Sequence, residues 1–223
     1  MSSRDAVLGK IRRALGVTGQ ESRRNATVDE RLARAPKGVI PARGQLPAGE
    51  RVRLFAAMVE KAGATVKRVG DDGAVPAAVA EYLRGRNLPA KIRIGDDALL
   101  NNLGWSRTQI EVKHGASDGY DPVGVTHAAA GVAETGTLVL TSGGDNPTTL
   151  NFLPDTSIVV VKAADIAGDY ETVWAEIRGK YGKGAMPRTV NYVTGPSRSA
   201  DIEQTILLGA HGPRRLHVVI VDG

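Results

Sequence analysis

The chain contains no cysteine. That absence excludes disulfides, a cysteine nucleophile and any iron–sulfur cluster held by the chain's own thiolates. Aromatic residues are scarce, at 4% of 223 residues. Few stacking platforms are therefore present to interleave with basic residues, and no nucleic-acid partner is expected. No apolar run approaches the roughly 18–20 residues that span a bilayer. The opening stretch MSSRDAVLGKIRRALG is too polar for the apolar core of a secretory signal, and the expected compartment is the cytoplasm. Phosphate and metal signatures are missing as well: no GxxxxGKS or GxxxxGKT, no GxGxxG behind a strand, no HExxH and no Cys/His cluster. His114, His127, His211 and His217 are scattered, so no metal site is expected, and His217 inside a strand pattern reads as a packed side chain.

What is present begins with charge. The formal net charge is +5, but residues 1–53 hold twelve Lys/Arg against five Asp/Glu, so the basic excess belongs to this first quarter and the rest is nearly neutral. The length suits one large or two small domains with a proper core. Val7, Leu8, Ile11, Ala14 and Leu15 have helical spacing. Gly16 to Pro47 shows no sustained period and reads as a basic arm or linker, able to wrap the body or a neighbouring subunit in a homodimer or larger complex. Residues 1–49 are thus read as a helix and arm, and 50–223 as the folded body.

From Glu50 onward strand and helix patterns alternate. Val52, Phe55, Val59 and Ala62 mark a helix stopped by Gly63. Strands are expected at Ala64–Val69, Lys91–Gly95, Thr108–Val112, Thr137–Thr141, Ser157–Lys162, Thr189–Thr194 and Leu216–Val221. Further helices are expected at Val75–Arg84, Asp169–Lys180 and Ser199–Gly209. The β-branched run SIVVVK suits a strand covered on both faces. The small-residue stretch Val125–Glu134 fits either a helix or a tightly packed strand. The alternation indicates an α/β fold with a mainly parallel sheet flanked by helices.

Four constellations can carry chemistry. In Ala133-Glu134-Thr135-Gly136-Thr137, Glu134 suits a nucleophile or general base, with Thr135, Gly136 and Thr137 contacting a ligand; a turn carboxylate bonded to local amides explains it equally well. In Gly195-Pro196-Ser197-Arg198-Ser199-Ala200-Asp201, Gly195, Ser197 and Arg198 suit a small anion at the start of a helix that follows the carboxyl end of a strand, with Asp201 a further ligand contact. Plain helix capping by Ser197 or Ser199, with Asp201 and Glu203 complementing the helix dipole, is the alternative. His211, in a loop flanked by Gly209, Gly212 and Pro213, suits a proton carrier or a merely exposed side chain. Asp145 and Asn146 in Gly143-Gly144-Asp145-Asn146-Pro147 suit ligand contact or ordinary turn chemistry.

The order of these motifs is more telling than any one of them. AETGTLVL at 133–140, LP at 153–154 before a buried strand, GPSRSADIE at 195–203 and HGP at 211–213 together resemble the lactate-utilisation protein C family, which carries the LUD domain. SRDAVLGKIRRALG also resembles that family's first helix. The resemblance implies a fold like that of sugar-phosphate isomerases, coenzyme A transferases and formyltetrahydrofolate cyclo-ligases. It also implies a part in oxidising L-lactate to pyruvate beside two iron–sulfur partner proteins. The chain itself would bind no cofactor and act as a non-redox subunit. Alternatives are a stand-alone transferase or cyclo-ligase-like enzyme using Glu134, and a small-molecule-binding regulatory module. One departure stands out: where family members often carry a basic residue before an LLP segment, this chain has DNPTTLNFLP, with no basic residue from Ala128 to Val161. Asn146 or Thr148 would have to take over any anion contact there.

Overall fold

A computed structural model describes residues 2–34, 36–182, 184–200 and 206–223. The chain divides into two units, residues 1–39 and 40–223. The first holds two helices, α1 (Ser3–Leu15) and α2 (Ser22–Arg34). Ser2 and Asp5 form a reciprocal capping box at the start of α1, and Gly16 in a left-handed conformation ends it. Helix α2 was not expected within the arm. It buries no side chain, carries an exposed Glu30–Arg34 pair one turn apart, and has Val28 and Leu32 as its isolated large apolar residues. Val28 and Leu32 stand one turn apart, a short amphipathic signal that the reading of the arm as lacking a period passed over.

The second unit begins with a 3-10 turn at Ala42–Gly44, followed by α3 (Ala48–Lys61), β1 (Thr65–Val69), α4 (Val75–Gly85), β2 (Lys91–Ile94), α5 (Ala98–Asn102) and β3 (Glu111–His114). It continues through β4 (Val123–His127), β5 (Ala130–Val132), β6 (Thr137–Thr141), α6 (Thr148–Phe152), β7 (Thr156–Lys162), β8 (Ile166–Ala167) and α7 (Tyr170–Tyr181). It closes with β9 (Val190–Val193), β10 (Arg198–Ala200), β11 (Ile206–Leu208) and β12 (Arg215–Val221).

The main sheet is six-stranded and parallel throughout, in the order β1-β12-β7-β4-β2-β3. Its central strands are apolar on both faces because both are covered. Ile158 and Val160 of β7, with Val219 and Val221 of β12, pack with α4 residues such as Val79 and Leu83. Val159, Val161, Val218 and Ile220 point the other way, into a core with Phe55 and Val59 of α3 and Leu138 and Leu140 of β6. A second sheet, β8-β5-β6-β9, is mostly antiparallel and packs its other face on Val173 and Ile177 of α7. The structure resolves the ambiguous stretch 125–134 as strands, with β4 in the main sheet and β5 in the second.

The helix expected at Ser199–Gly209 is not formed among the described residues. Arg198–Ala200 pairs antiparallel with Ile206–Leu208, and the Gly209 amide donates to the Ser197 carbonyl at 3.1 Å, closing the hairpin. Ser199 therefore lies in a strand and Ser197 directly before it, so among the described residues neither stands at a helix start. Asp201 lies outside the described residues.

Candidate functional site

Two of the expected constellations meet. Gly195, Ser197 and Arg198, following β9, converge with His211 and Gly212, preceding β12, on a cleft of about 260 Å³. Its floor comes from Ser157 at the start of β7 and Leu216 at the start of β12, so it opens at the amino edge of the parallel sheet. Gly195, Ser197 and Arg198 follow the carboxyl end of β9, a strand of the second sheet.

Local geometry fixes these side chains. Gly195 has φ +76° and lies against the Ala62 carbonyl, where a Cβ would collide. Ser197 is tied at both ends: its amide donates to the Pro213 carbonyl at 2.8 Å, and its Oγ accepts from the His211 amide at 3.3 Å. Arg198 Nη2 donates to the Ala62 carbonyl at 2.9 Å, just past the end of α3. Arg198 and His211 line the cleft, and no carboxylate does so among the described residues. The potential there favours an anion.

Asn151, on α6, is the group that sequence reasoning missed. It is 3% exposed, lines the cleft, and leaves both Nδ2 and Oδ1 buried without a hydrogen-bond partner. Native proteins rarely leave a buried amide so unsatisfied, and each such atom costs about 1–3 kcal/mol. Its signal in the sequence was a single polar residue in the apolar stretch Leu150–Leu153, which is too small to single out. Asn146 and Thr148, considered as substitutes for a basic residue, do not line this cleft: Thr148 Oγ1 lies 3.2 Å from Thr189 Oγ1, and Asn146 faces a different hollow.

The Glu134 constellation stands apart. Glu134 occupies the turn between β5 and β6, is 3% exposed, and has the Arg43 Nε 3.8 Å from its Oε2, which makes no hydrogen bond. Its amide donates to the Gly168 carbonyl at 3.2 Å. Gly136, with φ +68°, lies against the backbone of Met58 and Val59, so its place is fixed by close packing on α3. Thr135 and Thr137 join a hydroxyl network: Thr137 Oγ1 is 2.7 Å from Thr135 Oγ1, 2.8 Å from the Tyr170 hydroxyl and 2.6 Å from Thr194 Oγ1. Thr194 lines the cleft, so this network connects the turn's hydroxyls, but not the Glu134 carboxylate, to the cleft.

Among the described residues no helix is long and apolar enough to cross a membrane, and no three His, Asp or Glu side chains converge to hold a metal ion.

The architecture is an α/β domain, and residues 121–221 match the LUD domain family. This stretch includes β4 to β12 and with them both the cleft and the Glu134 turn. Curated relatives are named Lactate utilization protein C. The protein from Geobacillus sp. strain WCH70 is 38% identical over 100 residues, 44% of this chain and 42% of the relative. Those from Bacillus licheniformis and Bacillus subtilis are 39% and 37% identical over 101 residues, each 45% of this chain and 42% of the relative. These matches support the resemblance drawn from the motifs, and the matched stretch spans less than half the length of these relatives. A crystal structure of a DUF162 family protein from Deinococcus radiodurans shares the fold, with a TM-score of 0.58 at 24% identity over 79% of this chain and 99% of that one.

Proposed function

We propose that this chain serves lactate utilisation by binding a small 2-hydroxycarboxylate in the cleft between β9 and the amino edge of the parallel sheet, while iron–sulfur partner proteins carry the electrons. The observation that carries this reading is the cleft, which lies within the residues that match the LUD domain family. It joins a guanidinium and an imidazole to a buried amide with both a donor and an acceptor unpaired. Arg198 and His211 offer charge and hydrogen bonds to a carboxylate. Asn151 offers Oδ1 to the neighbouring hydroxyl and Nδ2 to an oxygen. Thiolate-held clusters are assigned to the partners because the chain has no cysteine.

Calorimetric titration of L-lactate, pyruvate and propionate tests the cleft. Lactate should bind more tightly than propionate, which lacks the hydroxyl, and Asn151→Leu should remove most of that difference, about tenfold or more. Lactate-dependent dye reduction by the two iron–sulfur partners should require this chain. If the partners work alone, the subunit role fails. If Glu134→Gln rather than Asn151→Leu abolishes the chain's contribution, the transferase-like reading replaces this one.

A further inference from the structure

A second hollow of about 430 Å³ lies at the opposite, carboxyl edge of the parallel sheet, where α/β sheets commonly take ligands. Asp97 follows β2, His127 ends β4, and Asp165 follows β7, three strands that are neighbours in the sheet. The loop bearing Asp145 and Asn146 closes over them, seated by the Asp96 amide donating to the Gly144 carbonyl at 3.1 Å. Glycine at position 95 leaves room for the Asp145 carbonyl. Glu176 and Lys180 of α7 complete the rim.

Two buried atoms in this hollow lack partners, and the surrounding bonds define what they are. His127 Nδ1 lies 3.2 Å from Asp97 Oδ2, while Asp97 Oδ1 accepts the Leu100 amide at 2.9 Å. Burial raises the Asp97 carboxyl, but the bonds from His127 and Leu100 outweigh it and hold the group below its ordinary range. With Nδ1 turned to Asp97, Nε2 is the other ring nitrogen; it is buried and has no hydrogen-bond partner, and in the neutral ring protonated on Nδ1 it is an acceptor. Asn146 is 5% exposed, and its Nδ2 donates to the Thr141 carbonyl at 3.2 Å, which leaves Oδ1 as the unpartnered end. Asn146 Oδ1 is thus an acceptor at any pH, and His127 Nε2 is one in the neutral ring protonated on Nδ1. Around them stand the carboxylates of Asp97, Asp145, Asp165 and Glu176, against Lys180 as the lining cation among the described residues. The negative field registers on Glu176, whose carboxyl is raised by burial and then by Asp165 and Asp169, with Arg51 opposing.

An unpaired buried acceptor inside a surplus of carboxylates favours a cation over an anion. We infer that this hollow binds a small organic cation bearing N–H donors, an alkylammonium head group that donates to His127 Nε2 and Asn146 Oδ1 while the rim carboxylates balance its charge. This site is independent of the reading given to the other cleft.

Calorimetric titration of the whole chain with putrescine tests it, with tetramethylammonium and Mg²⁺ as comparisons. Putrescine should bind saturably at one site, and tetramethylammonium, which has charge but no N–H, should bind at least tenfold more weakly. His127→Ala and Asp165→Asn should each weaken putrescine at least tenfold; the rim position of Asp165 keeps one variant usable should the other fail to fold. Putrescine should also shift the His127 Nε2 resonance in nitrogen-labelled protein. No saturable binding would overturn the inference, as would equal binding of tetramethylammonium. Displacement of putrescine by stoichiometric Mg²⁺ would make this a metal site instead. Unchanged affinity in both variants would place the amine elsewhere.

Discussion

His217 of β12 is 5% exposed, its ring stacked on Tyr82 at 4.0 Å and its Nδ1 2.8 Å from Thr65 Oγ1. Burial, and secondarily Arg86, lowers it to about 4, against 6.5 for the free side chain. Between those values the unfolded chain holds the proton and the folded chain does not, so stability is intact above pH 6.5 and falls as pH drops towards 4. The loss is on the order of 3 kcal/mol. Urea unfolding at pH 7 and pH 4.5 should show His217→Phe, which keeps the ring stack, losing less stability than the parent over that interval. Gly136 is sensitive for a different reason. Its φ is +68° and a Cβ would strike the α3 backbone. Gly136→Ala should cost at least the roughly 1–3 kcal/mol of a left-handed non-glycine residue, read from the denaturation midpoint, whether or not the turn touches a ligand.

Helix α7 depends on one side chain at its start. Asp169 accepts the Thr172 amide at 2.8 Å, the Thr172 hydroxyl at 3.0 Å and Gln45 Nε2 at 2.8 Å. Asp169→Ala should destabilise the chain by about 1–2 kcal/mol, and Asp169→Asn, an equally good cap, should recover most of it in the same unfolding assay. Elements of this kind were legible in the sequence, because Asp169 precedes a run with Val173, Trp174 and Ile177 at helical spacing. The strands β7 and β12 were legible because a continuous β-branched run has few other uses. The hairpin at 198–208 was not. Ser197, the acidic residues after it and Gly209 imitate a helix start and stop, and the pairing of Arg198 with Leu208 that decides the matter is tertiary. Strands β6 and β9 of the second sheet were legible at Thr137–Thr141 and Thr189–Thr194, but their separation into a second sheet with β5 and the two-residue β8 was not, because pairing partners leave no local pattern. For the site, glycines and prolines marked the loops of Gly195 and His211, but no local pattern says that they share a cleft, or that Asn151 faces it.

The two units differ in how they hold themselves. Neither α1 nor α2 buries a residue, whereas residues 40–223 enclose three apolar clusters. A chain beginning at Ile40 should therefore unfold at the same midpoint as the whole, within about 0.5 kcal/mol, and limited proteolysis should leave that fragment intact. Residues 40–46 belong with the body: Gly44 and Gly168 approach so closely that neither tolerates a Cβ, and Gln45 reaches Asp169. This contact seats Arg43 beside Glu134. The carboxylate, 3% exposed, is thereby sheltered from any water-soluble reagent. Its modification by a carbodiimide would then proceed only as fast as local opening allows, so the labelling rate would measure how often the chain breathes at Gly44 and not how reactive Glu134 is.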